Sequence, residues 1–205
     1  MQHLSLPPNV PKRGGGVLIK KIASYINQLT GWKAVGSLPN ISQAVLIGVP
    51  HTSNFDGVFV LPLLVEMDIQ LTILAKKQLF YVPILANFLR KMGAVPIDRD
   101  KKGSVLGANI ERFASKRPLF LALAPEGTRS YTNSWKTGFY YLALNAQVPI
   151  IPVAIDYGKK QLHFMSPFYP SGDIENDLPK IYQYYQGVVA KHPKNVSKPL
   201  QDLMS

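Results

Sequence analysis

Apolar residues recur every three to four positions over 17–29. Leu18, Ile19, Ile22, Ala23, Ile26 and Leu29 share one side, while Lys20, Lys21, Ser24, Asn27 and Gln28 face elsewhere. That period predicts an amphipathic helix. Two strands follow near 33–38 and 44–49, joined by a turn at Pro39-Asn40. A helix is expected from Phe55 to about Met67, then a strand over Leu71–Ala75. Val82-Pro83 opens a second basic amphipathic helix with Ile84, Leu85, Phe88, Leu89 and Met92 on one side, and Gly93 is its natural stop. Another helix is expected over 104–115, with Ser104 as its N-cap. The unbroken apolar run Leu119–Ala124 predicts a central buried strand. A helix near 138–146, strands at 149–156 and 161–166, and a terminal helix over 173–190 complete the order.

Helices and strands alternate, which predicts an α/β protein: a mixed, mostly parallel central sheet flanked by helices on both faces, with an N-terminal amphipathic helix at 17–30. A chain of 205 residues fits one such core, and it shows neither internal repeat nor linker. Residues 1–16, with Pro7, Pro8, Pro11 and three consecutive glycines, read as a flexible leader. Residues 17–192 form the single domain, and 193–205 are expected to be a loose tail.

Composition narrows the partners. Hydrophobic residues make up 46% and charged residues 17%, as in a globular chain. The 23 Lys+Arg outnumber the 12 Asp+Glu, and many stand in adjacent pairs such as Lys20-Lys21, Lys76-Lys77 and Lys101-Lys102. Such a field attracts phosphoesters, anionic lipid or nucleic acid. No helix-turn-helix, zinc-finger or RNP pattern supports nucleic acid. The absence of cysteine removes disulfides and thiolate chemistry. No run reaches the ~18 apolar residues of a spanning helix, and the N-terminus lacks the apolar stretch of a signal peptide. The expectation is a protein kept inside the cell, either soluble or resting on the cytoplasmic side of a membrane, peripheral rather than inserted.

The densest chemistry is His51-Thr52-Ser53-Asn54-Phe55-Asp56, straight after the apolar run Ala44–Val49. A position just past a strand and before a helix is where α/β proteins place ligands. An Asp accepting from one imidazole nitrogen fixes the tautomer and leaves the other nitrogen to take a proton. Five residues along a helix is a rotation of about 500°, so the two side chains meet only if 51–54 form a turn. The competing structural reading is a capping box, Ser53-x-x-Asp56, in which the acid satisfies a backbone N–H.

Pro125-Glu126-Gly127-Thr128-Arg129-Ser130 follows the buried strand, so its glycine suggests a tight loop at the same sheet edge. Arg129 there can hold a phosphate bidentately, as lysine cannot. Glu126 either holds Arg129 or receives a substrate hydroxyl. Arg99 ends the strand-like Gly93–Asp98 segment. A base, its acid and two arginines suit removal of a proton from the hydroxyl of a phosphate-bearing substrate. No Gly-x-Ser-x-Gly elbow, Walker loop or Gly-x-Gly-x-x-Gly is present, and the four histidines lack metal spacing, so neither metal nor cofactor is expected.

Four segments in this order, His51–Asp56, Gly93–Arg99, Pro125–Ser130 and Val148–Val153, resemble the motifs of the glycerolipid acyltransferase family, typified by 1-acylglycerol-3-phosphate (lysophosphatidate) acyltransferases. The resemblance implies a glycerol-3-phosphate acyltransferase-like fold. It makes His51 the general base and Asp56 its orienting partner. Arg99 contacts the acceptor's phosphate, Glu126, Gly127, Thr128 and Arg129 bind the acceptor, and Pro152 shapes an acyl channel. The donor is acyl-CoA or acyl carrier protein, the acceptor a lysophospholipid and the product phosphatidate. Pro96 and Ala124 stand where many members carry Phe or another bulky residue, which leaves other acceptors open, such as a lyso-aminolipid or glycerol 3-phosphate. The remaining alternative is a non-catalytic protein that binds anionic lipid. The amphipathic segments 17–29 and 79–92 can rest on an anionic membrane surface or pack onto the sheet.

Overall fold

The structure, a computed structural model, describes residues 6–97 and 102–203. Helix α1 (Val17–Thr30) is followed by β1 (Lys33–Gly36), β2 (Gln43–Val49), α2 (Asp56–Glu66), β3 (Thr72–Lys76), α3 (Pro83–Lys91) and β4 (Ala94–Ile97). Then come α4 (Lys102–Ala114), β5 (Leu119–Leu123), α5 (Gly138–Ala146), β6 (Ile150–Asp156), β7 (Gln161–Phe164), α6 (Ile174–Gln183) and α7 (Lys198–Gln201). Among the described residues the strands form one sheet, in the order β1-β7-β6-β2-β5-β3-β4. Every neighbouring pair is parallel except β6 with β7. The carboxyl ends of β6, β2, β5, β3 and β4 therefore share one edge.

Alternation along the central strands feeds two cores. Val45, Ile47 and Val49 of β2 face Phe139, Leu142 and Ala143 of α5 and Ile181 of α6. Ala44 and Leu46 face the other way, toward Leu63 and Leu64 of α2. Every residue of β6 is buried. Pro152 lies opposite Met165, just past the end of β7, and its carbonyl still accepts from Met165 N at 3.0 Å. Helix α3 stops at Gly93 as expected: φ there is +84°, and a Cβ would overlap the Leu71 carbonyl.

Five expectations need correction. β1 and β2 are not neighbours across the Pro39-Asn40 turn; β1 pairs with β7 at the far edge of the sheet. The terminal helix ends at Gln183 rather than 190, because Tyr185 turns inward, fully buried, to donate its hydroxyl to Ile47 O at 3.0 Å. Residues 6–16 are an ordered part of the molecule rather than a loose leader. Val10 is buried, Lys12 bridges Ile69, and Arg13 N donates to Asp68 O at 2.9 Å. Residues 193–203 are likewise not a loose tail, since Val196, Ser197 and Leu200 are buried. Ser104 lies inside α4, which starts at Lys102, and so is not its N-cap.

Helix α1 runs antiparallel to α2, tied by Lys20 to Asp68 at 2.8 Å near one end and by Asn27 Nδ2 to Glu66 Oε2 at 2.6 Å further along. Only Ala23 and Asn27 of α1 are buried. Its large apolar residues stay in solvent, with Leu18 73% and Leu29 69% exposed. On α3, Ile84 is 85% exposed, while the small Ala86 turns inward. Among the described residues no helix is long and apolar enough to cross a membrane.

Candidate active site

The residues that lead out of β2, β5 and β6 converge at the shared carboxyl edge. After β2, a short turn folds the chain back on itself. Ser53 Oγ accepts from Phe55 N at 3.1 Å, and Asp56 N donates to Ser53 O at 3.4 Å. This turn brings His51 Nδ1 to 2.8 Å from Asp56 Oδ2. The same oxygen accepts from Ser53 N at 3.1 Å, so one carboxylate both satisfies a backbone N–H and pairs with His51, although Ser53 is not the helix N-cap. The other oxygen, Oδ1, accepts from the Tyr157 hydroxyl at 2.7 Å.

Burial by itself would raise the Asp56 pKa. The hydrogen bonds from His51, Tyr157 and the Ser53 N–H outweigh it and hold the carboxyl below its ordinary value. Asp56 is thus an anion at neutral pH, which places the imidazole proton on Nδ1 and leaves Nε2 as the acceptor. The His51 side chain is about a quarter exposed, open to a substrate, while that of Asp56 is sealed beneath it. Tyr157 is fixed in turn by its ring, which meets Trp32 and Phe59 edge-on at 5.0 and 5.9 Å. Burial, then the bond to Asp56, pushes the Tyr157 phenol far up, so it stays a donor.

Glu126 reaches the site from β5. Its Oε2 accepts from the His51 backbone N–H at 2.7 Å, and the residue is only 3% exposed. Among the described residues no ion pair joins it to Arg129. Burial drives its pKa up, against the partial relief given by the His51 N–H and by Ser197. The carboxyl therefore ties the end of β5 to the backbone of the 51–56 turn and is nearly closed to solvent. Gly127 adopts φ +66°, and the stem of Lys136 packs where a Cβ would stand. Thr128 Oγ1 accepts from Ser130 N at 3.2 Å, which closes the turn. Arg129 is exposed on that turn.

One expected residue stands apart. Pro152 is buried in mid-strand beside Ile47, four residues short of His51 in register, so strand pairing keeps it away from the site edge. Arg99 lies outside the described residues. Tyr157 was missed, although its place directly after β6 at the ligand edge was a usable signal. Thr52, whose Oγ1 accepts from His192 N at 3.2 Å, and Ser197, whose Oγ accepts from Trp135 Nε1 at 2.8 Å, carry no local signal at all.

Residues 33–156, which hold β1 to β6 and the loops just described, match the Acyltransferase family. The chain belongs to the acyltransferase family. The chain is similar to the 1-acyl-sn-glycerol-3-phosphate acyltransferase of Saccharomyces cerevisiae, at 36% identity over 95 residues, covering 41% of the chain and 30% of that protein. It is similar also to the Haemophilus influenzae protein of that name, at 26% over 168 residues, covering 74% and 68%. The crystal structure of the 1-acyl-sn-glycerophosphate (LPA) acyltransferase PlsC from Thermotoga maritima shares the fold. Its TM-score is 0.57 at 21% identity, with 82% of this chain and 75% of that one covered. The chain spans 34% and 30% of the length of two yeast relatives it matches.

Proposed function

We propose that this acyltransferase moves a fatty acyl group from a thioester, acyl-CoA or acyl carrier protein, to the free hydroxyl of 1-acylglycerol 3-phosphate. The observation that carries the reading is the Tyr157–Asp56–His51 chain, with bonds of 2.7 and 2.8 Å, ending on a free imidazole nitrogen. His51 Nε2 takes the acceptor's hydroxyl proton as the oxygen attacks the thioester carbonyl. Collapse of the tetrahedral intermediate breaks the carbon–sulfur bond. The thiolate leaves as free thiol after taking the proton back from Nε2. Phosphatidate is the other product. A positioned base supplies roughly 10²–10⁴-fold, and holding both substrates in attack geometry supplies more.

Acceptor identity rests on the named relatives and on the cations near the base. Arg129 sits on the turn after β5 at the same edge as His51, exposed and free to take the phosphate. Arg99 joins it by the motif resemblance. The exposed apolar face of α1, with Lys21 beside it, supports delivery of both lipid chains from an anionic membrane surface. The acyltransferase then works as a peripheral protein.

Purified protein given a long-chain acyl thioester and lysophosphatidate should release thiol and form phosphatidate, read by mass spectrometry. A panel of other lyso-acceptors fixes the acceptor class. His51→Ala should lose about 10²-fold or more in turnover while still folding, with a thermal midpoint somewhat lowered because Asp56 loses one of its three donors. Turnover at the parent rate would remove His51 as the base.

A further inference from the structure

The chain beyond β7 lies outside the family match, yet it crosses the working edge of the sheet. Tyr157 N donates to Val189 O at 2.8 Å, His192 N donates to Thr52 Oγ1 at 3.2 Å, and Lys198 N donates to Thr132 O at 2.9 Å. The segment thus passes the ends of β6, β2 and β5 in turn. Lys191 sits between the first two of these ties. Its Nζ lies 3.7 Å from the centre of the Phe55 ring and 5.8 Å from that of Tyr157. Phe55 immediately precedes Asp56, and Tyr157 is bonded to it. The ammonium is therefore seated against the catalytic carboxylate's own neighbours.

Among the described residues no carboxylate pairs with Lys191. A ring face attracts an ammonium but offers no hydrogen-bond acceptor along its rim, so N–H donors remain directed outward. A cation so held, half-buried and unneutralised, is a ready contact for a phosphate oxygen. Its side of the base matters. Strand order places β2, and with it His51, between β6 and β5. Arg129 and Lys136 belong to the loop after β5, whereas Lys191 is tied to the β6 side. A transfer reaction has two substrates, each phosphate-bearing here, and the two cationic flanks divide between them.

We propose that Lys191 binds a phosphate of the thioester donor, the group next to pantetheine that CoA and the carrier's prosthetic arm have in common. This rests on the acyl-transfer reading above. Charge-assisted contact of one ammonium implies an effect of about 10-fold. With lysophosphatidate saturating, Lys191→Met should raise KM for acyl-CoA about that much with kcat nearly unchanged, and Lys191→Arg should restore most of it. Acyl-pantetheine, which lacks the phosphate, should show no difference between parent and Lys191→Met. Calorimetric titration of free CoA should show the same loss of affinity without any turnover. That arm separates failure of this proposal from failure of the acyl-transfer reading, which a parent protein inert with every acceptor would signal. Lys191→Gln serves as the second neutral variant if Lys191→Met unfolds early. Unchanged CoA affinity, or an equal rise in KM for acyl-pantetheine, would overturn the site. A rise confined to the lysophosphatidate KM would overturn the donor assignment.

Discussion

An acid orients an imidazole only while it is ionised, and the two buried carboxyls here are set in opposite directions. Asp56 is lowered from its ordinary 3.8, so the stability its three donors contribute is present above that value and lost as pH falls through the lowered one. Glu126 is raised from 4.5, so its sign is reversed. Above the raised value the folded state carries the cost of a buried anion; that cost fades as pH falls toward 4.5. Glu126→Gln keeps an oxygen for the His51 N–H and removes the charge. Its thermal midpoint should exceed the parent's at pH 8 and converge on it near pH 4.5. A pH-independent difference would show that Glu126 ionises at no cost. Its kcat should stay within several-fold of the parent, roughly the reach of a lost indirect contact. A drop of about 100-fold would return Glu126 to the acceptor's hydroxyl. The His51–Asp56 pairing was legible because both groups are side chains in one short loop. The role of Glu126 was not, because its partner is a main-chain N–H 75 residues away and main-chain donors leave no mark in a sequence.

Periodicity locates a helix but does not say which face is covered. On α1 the apolar stripe was legible, yet the contact with α2 is made by Ala23 and Asn27 on the helix's narrow flank, where small side chains permit close approach. The larger residues are left out. Fully burying a Leu is worth about 1.5–3 kcal/mol, so a face that leaves Val17, Leu18, Ile22, Tyr25 and Leu29 in water forgoes several such increments. Under the proposed peripheral mode, a bilayer interface would recover them. The double variant Leu18→Glu with Leu29→Glu should sediment with anionic vesicles at least about 10-fold less well, since losing one buried Leu already corresponds to that factor. Its unfolding free energy should stay within about 0.5 kcal/mol per site, as for exposed substitutions elsewhere. Undiminished vesicle binding with a stable fold would move the membrane contact off α1. The terminal helix shows the opposite limit. Its pattern extended legibly to 190, but burying the Tyr185 ring and satisfying Ile47 O outweighs another turn of local helix.

The alternation of elements made the α/β class legible, and the position of two motifs, at His51 and at Glu126, directly after strands made their common edge legible. Strand order was not, because β1 gains its place from pairing with β7, over a hundred residues later. Nor was the reach of the C-terminal segment, whose polar, proline-containing stretch looks like a tail until its partners are seen. Trp135 explains why it is fixed. That indole, 4% exposed in the larger core, must place its N–H somewhere, and Ser197 Oγ at 2.8 Å is where it goes. Ser197 is itself fully buried and also helps to hold down the pKa of Glu126. One hydroxyl thus joins the C-terminus, the α5 core and the carboxyl tied to the His51 N–H. Ser197→Ala leaves a buried indole donor unmatched, at a cost of about 1–3 kcal/mol in urea unfolding. Ser197→Thr, which keeps the acceptor, should lose less if the added methyl is accommodated. Trp135→Phe in the Ser197→Ala background should cost less than the sum of the two single changes, because the unmatched donor is then gone. Strict additivity in that cycle would mean that packing alone, and not the hydrogen bond, holds the C-terminal segment against the catalytic edge.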